Sequence, residues 1–255
     1  MLAATIAQTT EYTLNLLSDH WSGPVIIFVS NKQFGDLGER IKVKLEETVK
    51  NDFTLCELLV LDWDKHLTPW KADANMKGRN FLGNGVELLR NLQESVYPKI
   101  REYAGDSKIY IAGYSLAGLF SLWSLYESDM FDGAASCSGS LWYPDWKEFA
   151  TQNTLKRPVS VYLSLGKAEK KVKHPLMRNV EEHTRFQYEL LEQDEKINKL
   201  HMDWWEGGHF DHTEDRIAKG IEWLIVNSDI FTENKKVKTV LENPSEHIES
   251  EKYFS

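Results

Sequence analysis

The stretch KIYIAGYSLAGLFSLW, from Lys108 to Trp123, constrains the fold more than any other part of the chain. Its opening is short, apolar and rich in isoleucine. Gly113, Ala117 and Gly118 then crowd small residues around a single serine, Ser115, before an almost wholly apolar run. A helix that is apolar nearly all round must be buried. The segment therefore reads as a strand over 108–113, an abrupt turn, and a buried helix over 116–127. A strand that passes at once into a buried helix needs other strands beside it and a layer of structure over the helix. The turn itself has two readings. It is either a plain tight connection or an elbow that lifts Ser115 out of the sheet as a nucleophile.

The remainder of the chain supplies the neighbouring strands. GPVIIFVS (23–30), FTLCELLVLDWD (53–64), the middle of FDGAASCSGS (131–140), PVSVYLSLG (158–166) and KLHMDWWEGG (199–208) are short runs bounded by glycine, proline or polar residues, as buried strands are. Between them lie helical segments. In 35–51, Leu37, Ile41, Leu45 and Val49 recur every four residues. The segment 85–104 is a long amphipathic helix that Pro98 must kink or divide. Helices are also expected over 179–194 and over 213–227, the latter opened by a capping region at Thr213 and Asp215. Strands alternating with helices imply an α/β architecture, a mostly parallel sheet covered on both faces. No internal repeat or linker interrupts it. A single domain over 1–230 is expected, followed by a polar tail over 231–255.

Composition narrows the function classes. With 255 residues and 42% hydrophobic content the chain can bury a sizeable core. Its formal net charge is −9 and it has no basic stripe, which argues against nucleic acid as a partner; the KKVK pieces at 170–173 and 235–238 read as solvated faces. Cys56 and Cys137 sit in apolar runs without metal or redox spacing, so both are expected to be buried free thiols. The N-terminus lacks the pattern of a secretory signal, and no apolar run has membrane-spanning length. A soluble cytoplasmic protein with no membrane partner is the expectation; a secreted chain stripped of its signal would read the same way.

A serine nucleophile needs a base, an acid to orient that base, and donors for the oxyanion. The loops that follow the strands carry candidates for each, and in open α/β sheets functional groups gather there. Leu116, first in the helix after Ser115, offers its backbone N–H to an oxyanion. A base that comes last in chain order points to His209, in WWEGGHFDH after the final strand, with two glycines to free the loop. His212 competes with it. The cluster in HFDHTED also has a metal reading on paper, although its spacing matches no zinc signature. The acid is expected in YLSLGKAEKK, where Glu169 lies three residues past Gly166; the alternative is a surface carboxylate among lysines. Asn31 or a neighbour in VSNKQFG is the candidate for the second oxyanion N–H, or else an ordinary polar turn. Trp63, Trp70, Phe81, Trp142 and Tyr143 lie on loops at the same end of the sheet, where they wall a substrate pocket or simply pack those loops on the core. Arg79, Lys71 and His66 either bind an acidic substrate group or face solvent.

Taken in order, LTPW (67–70), IAGYSLAGLFSLW, SGSLWYPDW, YLSLGKAEKK with the following HPLMRNVEEHTRFQYELL, and EGGHF before RIAKGIEWLI resemble an esterase branch of the α/β-hydrolases. That branch includes siderophore trilactone esterases, feruloyl-type esterases, S-formylglutathione hydrolases and mycolyltransferases. The likeness spans roughly residues 20–228. It implies Ser115 as nucleophile, His209 as base and the Leu116 N–H as an oxyanion donor. It also matches Glu169 to a glutamate found in that loop among relatives, some of which work as a Ser–His dyad. VSNKQFG departs from the His-Gly or Asp-Gly pair that many relatives carry after the first central strand. The resulting expectation is a cofactor-free, metal-free serine carboxylester hydrolase acting on a small or aromatic soluble ester. Acyl transfer by the same residues, or a non-catalytic binding module, are the alternatives.

Overall fold

The computed structural model describes residues 4–73 and 76–228. Its strands are β1 (Ala4–Gln8), β2 (Tyr12–Asp19), β3 (Val25–Ser30), β4 (Thr54–Val60), a two-residue pair β5 (Lys71–Ala72) and β6 (Phe81–Leu82), β7 (Ile109–Tyr114), β8 (Gly133–Cys137), β9 (Val159–Gly166) and β10 (Ile197–Trp205). All but β5 and β6 form one eight-stranded sheet in the order β1-β2-β4-β3-β7-β8-β9-β10. From β4 to β10 every neighbouring pair is parallel. The N-terminal hairpin β1–β2 adds two antiparallel strands at one edge. The expected α/β class therefore holds. The hairpin escapes a strand reading because only Tyr12, Leu14 and Ser18 of β2 are buried and β1 is largely exposed.

The helices are α1 (Leu37–Thr48), α2 (Trp63–His66), α3 (Gly85–Asn91), α4 (Tyr97–Ala104), α5 (Leu116–Glu127), α6 (Trp146–Gln152), α7 (Val180–Glu192) and α8 (Thr213–Val226). The expected helix over 85–104 is divided as Pro98 requires. A wider turn over Leu92–Val96 separates α3 from α4, and Pro98 sits in the first turn of α4, where an N–H is not needed. α5 buries every residue from Leu116 to Tyr126. α6 begins inside what the sequence presents as a loop, after Asp145 takes a left-handed conformation at φ 64°. The opening of α8 differs from expectation: His212, at φ 57°, precedes the helix and no side chain caps it.

Two apolar cores sandwich the sheet. One joins α3 to α7 against one face and contains Trp123, Trp146 and Tyr143. The other lies under α1 and α8 around Phe28, Tyr110 and Tyr162. Cys56 and Cys137 are free and buried, and burial pushes both thiols up to about 12. Among the described residues no helix is long and apolar enough to cross a membrane. The expected tail over 231–255, with its second KKVK, lies outside the described residues.

The strand order reverses at β3. The chain leaves β3 to form β4 on one side and returns to form β7 on the other. The loops after β3 and β7 thus open side by side at the carboxyl end of the sheet, where such sheets hold ligands. Asn31 follows β3 and Ser115 follows β7.

Candidate active site

Ser115 occupies the single residue between β7 and α5, with φ 59° and ψ −121°. A positive φ is uncommon for a residue with a side chain and persists only when its surroundings enforce it. Here they do. The Ser115 N–H donates to the Cys137 carbonyl at 3.1 Å, and its own carbonyl accepts from Leu119 and Ser140, each at 3.0 Å. A Cβ on Gly113 would come within 2.5 Å of the Ala117 carbonyl carbon, and one on Gly118 within 3.0 Å of the Gly139 Cα. The small residues of the sequence motif are therefore the condition for the strand and helix to meet at this angle.

The histidine expected from chain order lies beside the serine. His209 Nε2 is 3.1 Å from Ser115 Oγ, and its Nδ1 is 2.8 Å from Glu169 Oε2. A carboxylate can only accept, so Nδ1–H donates to Glu169 and leaves Nε2 to accept from the serine hydroxyl. Gly207, at φ 92°, turns the loop. The Gly208 N–H donates to Asp211 Oδ2 at 2.7 Å, and Tyr114 Oη donates to the His209 carbonyl at 2.6 Å. His212 does not compete. Its Nδ1 is 3.8 Å from Asp215, its ring lies 6.1 Å from that of Trp205, and its side chain is 54% exposed. Among the described residues no group of three His, Cys, Asp or Glu side chains is placed to hold a metal ion.

Glu169 is 3% exposed despite its lysine neighbours. Those lysines turn outward: Lys170 pairs with Glu181 at 2.9 Å and Lys167 with Glu206. Glu169 Oε1 accepts from Ser138 Oγ at 2.7 Å, from the Gly166 N–H at 2.8 Å and from Arg216 Nη1 at 2.9 Å. Burial alone would push this carboxyl up. The hydrogen bond and charge of His209, together with the Gly166 and Ser138 donors, outweigh burial and hold it below the usual carboxylate range.

Leu116 and Asn31 both line the cavity that contains Ser115. Leu116 is the first residue of α5, so its N–H has no partner within the helix. The Asn31 side chain ties its loop to the end of β4: Nδ2 donates to the Val60 carbonyl at 2.6 Å and Oδ1 accepts from the Gln33 N–H at 2.9 Å. The hydroxyl of Ser140 stands 3.3 Å from Ser115 Oγ. That neighbour comes from the loop after β8, which sequence reading treats only as a source of aromatics.

The cavity has a volume of about 1090 Å³. Of the five aromatics singled out in the sequence, Trp63 and Trp142 line it. Trp70, Phe81 and Tyr143 do not; they pack on one another behind the wall. Tyr143 stacks edge-on to both partners at 5.8 and 5.6 Å and donates its hydroxyl to the Trp70 carbonyl at 2.6 Å. Their rings are large and their polar atoms find backbone partners, so burial against the core wins over exposure to the cavity. Arg79 lines the cavity but is bound through two nitrogens to Asp64. His66 is buried, 3.6 Å from Glu11, and Lys71 lines a separate, smaller recess of about 490 Å³ with Phe81.

Tyr114, Ser138 and Arg216 complete the surroundings of the histidine and the acid. Tyr114 and Ser138 adjoin the elbow and the next strand in sequence, so their nearness was available in principle. Arg216 lies in an amphipathic helix where arginine ordinarily faces solvent, and no local pattern marks it as buried.

No protein-family model matches the chain, and no curated protein sequence does. Solved structures do match. The siderophore hydrolase EstA from Aspergillus nidulans superposes with a TM-score of 0.68 at 17% identity, covering 88% of this chain and 93% of its own. An IroE-like serine hydrolase from Shewanella oneidensis gives a TM-score of 0.70 at 12% identity, with 91% and 82% covered. The enterobactin and salmochelin hydrolase IroE gives 0.61 at 17%, with 86% and 92% covered. At such identities the likeness is one of fold. The chain has the α/β-hydrolase fold.

Proposed function

We propose that this α/β-hydrolase-fold chain is a serine ester hydrolase in which Ser115 is the nucleophile, His209 the general base and acid, and Glu169 the orienting carboxylate. The observation that carries the reading is the continuous relay of 3.1 Å and 2.8 Å from Ser115 Oγ through the His209 ring to a buried carboxylate. Ser115 Oγ attacks the ester carbonyl as its proton passes to His209 Nε2. The carbonyl oxygen becomes an oxyanion beside the Leu116 N–H and the positive end of α5. Collapse of this adduct breaks the ester C–O bond, and His209 returns the proton to the departing alkoxide. Water then enters, gives its proton to His209 and attacks the acyl-enzyme, and the proton goes back to Ser115 as the acid leaves. Glu169 stays ionised throughout and stabilises the imidazolium.

The neighbours named as siderophore hydrolases and as a serine hydrolase favour this chemistry over a binding module. Within the reading, the substrate is a small or aromatic ester accommodated by Trp63 and Trp142. The test is a panel of short and aromatic acyl esters assayed with the wild type and Ser115→Ala. Turnover that disappears in the variant supports the reading; a variant that keeps wild-type turnover removes it.

A further inference from the structure

We propose that Arg216 is a positioning residue for this site, one guanidinium that fixes both the acid and the loop carrying the base. The inference rests on the esterase reading above and extends it to a residue that touches no substrate.

Arg216 is fully buried on α8. A buried cation is no asset to stability in itself, since a well-packed apolar side chain usually serves as well. What distinguishes Arg216 is where its hydrogen bonds go. Nη1 donates to Glu169 Oε1 at 2.9 Å, to Ser138 Oγ at 2.7 Å and to Tyr114 Oη at 3.0 Å. Nη2 donates to the Gly208 carbonyl at 3.0 Å, with the Glu206 carbonyl further off at 3.5 Å. Each of these partners supports the relay. Ser138 donates to the same Glu169 oxygen, Tyr114 donates to the His209 carbonyl, and Gly208 precedes His209. The effect on Glu169 is directional. Oε1 is saturated by Arg216, Ser138 and the Gly166 N–H, so the carboxylate cannot rotate and Oε2 alone remains for His209. The two N–H groups of Nη1 are shared among three acceptors while Nη2 reaches the loop carbonyl, a planar spread that the single nitrogen of an ammonium cannot reproduce.

The charge matters as well as the fork. Arg216 places a permanent positive charge 2.9 Å from Glu169 Oε1, on the side of the carboxylate away from His209. The other ionisable groups near the pair are Tyr114 from β7, Asp211 in the His209 loop, and His212 and Asp215 at the start of α8. Lys167 and Glu206 pair with each other at the surface. Arg216 is the one buried cation that contacts Glu169 among the described residues.

The experiment compares wild type, Arg216→Gln, Arg216→Lys and Ser115→Ala in pH profiles of kcat/KM with one short neutral ester. Removing the cation takes away the opposite charge 2.9 Å from Glu169, which must stay ionised for attack. Arg216→Gln should therefore move the acid limb up by about one pH unit and lower kcat about 10²-fold, with KM nearly unchanged. Arg216→Lys should keep the limb in place while kcat falls about tenfold, because charge is retained and the fork is lost. A residue that only supports folding would reduce the amount of active protein without moving the limb. An unmoved limb in Arg216→Gln overturns the proposal. If that variant does not fold, wild-type kcat in Arg216→Lys overturns it instead. Residual full activity in Ser115→Ala would remove the esterase reading itself, an outcome distinct from either.

Discussion

Glu169 and Glu214 are both carboxylates paired with arginines around one cavity, and they are held in opposite ways. Glu169 is 3% exposed, its partner Arg216 is fully buried, and three donors converge on one of its oxygens. Glu214 lies at the mouth, where it meets Arg40 at 2.9 Å with both side chains more than a third exposed. The first pair sits where water cannot screen it and losing one partner strands the other. The second is screened and replaceable. The contrast extends to the surroundings. The inner end of the cavity is set by backbone that a methyl group would disrupt. The mouth carries exposed apolar side chains, Phe34 at 40% and Phe210 at 89%. The Ser115–His209–Glu169 geometry is built into the fold, whereas the mouth carries side chains that the fold barely constrains.

That contrast breaks if inner and outer substitutions have similar effects. The largest loss should come from His209→Ala, which removes the proposed base; kcat should fall by about 10⁶. Glu169→Gln keeps the shape, but the three donors at Oε1 hold the amide oxygen there and turn an NH₂ group toward Nδ1–H, and a loss of about 10⁴ is expected. Glu169 also makes an acid-stability prediction. Its folded-state pKa lies below the usual value, so it contributes stability above the ordinary glutamate range, and that contribution disappears as pH falls through the depressed value. The melting-temperature gap between wild type and Glu169→Gln should therefore narrow on acidification to below about pH 4. A gap that widens there would contradict the assignment of ionised Glu169.

Gly113→Ala tests the elbow. The added methyl meets helix backbone and cannot be absorbed by a rotamer change, so a destabilisation of at least about 1–3 kcal/mol is expected in denaturant unfolding. At the mouth, Phe210→Ser should raise KM for bulky esters by roughly tenfold or less and leave kcat alone. Arg40→Ala should alter stability by less than about 1 kcal/mol. A large kcat effect from either would mean that the outer wall takes part in the chemistry.

The sheet and the relay were legible in the sequence because both are written in local terms. GYSLAG needs its small residues at fixed positions, and His209 follows the last strand behind two glycines. Glu169 was readable by its place after β9, although only the fold shows that its lysine neighbours turn away. The aromatics were less legible. Trp63 and Trp142 face the cavity while Trp70, Phe81 and Tyr143 do not, and that division depends on packing between three loops distant in sequence. Arg216 and Ser140 were not legible at all, because their partners lie on other strands. The β1–β2 hairpin was missed for a different reason: an edge strand with one exposed face lacks the continuous apolar run that marks the central strands.

The central claim is that Ser115 is an activated nucleophile, and covalent labelling tests it most directly. A fluorophosphonate probe, followed by peptide mass spectrometry, should place one adduct on the peptide containing Ser115, and His209→Ala should abolish the adduct. An unlabelled wild-type protein, or an adduct at another serine, would contradict the account.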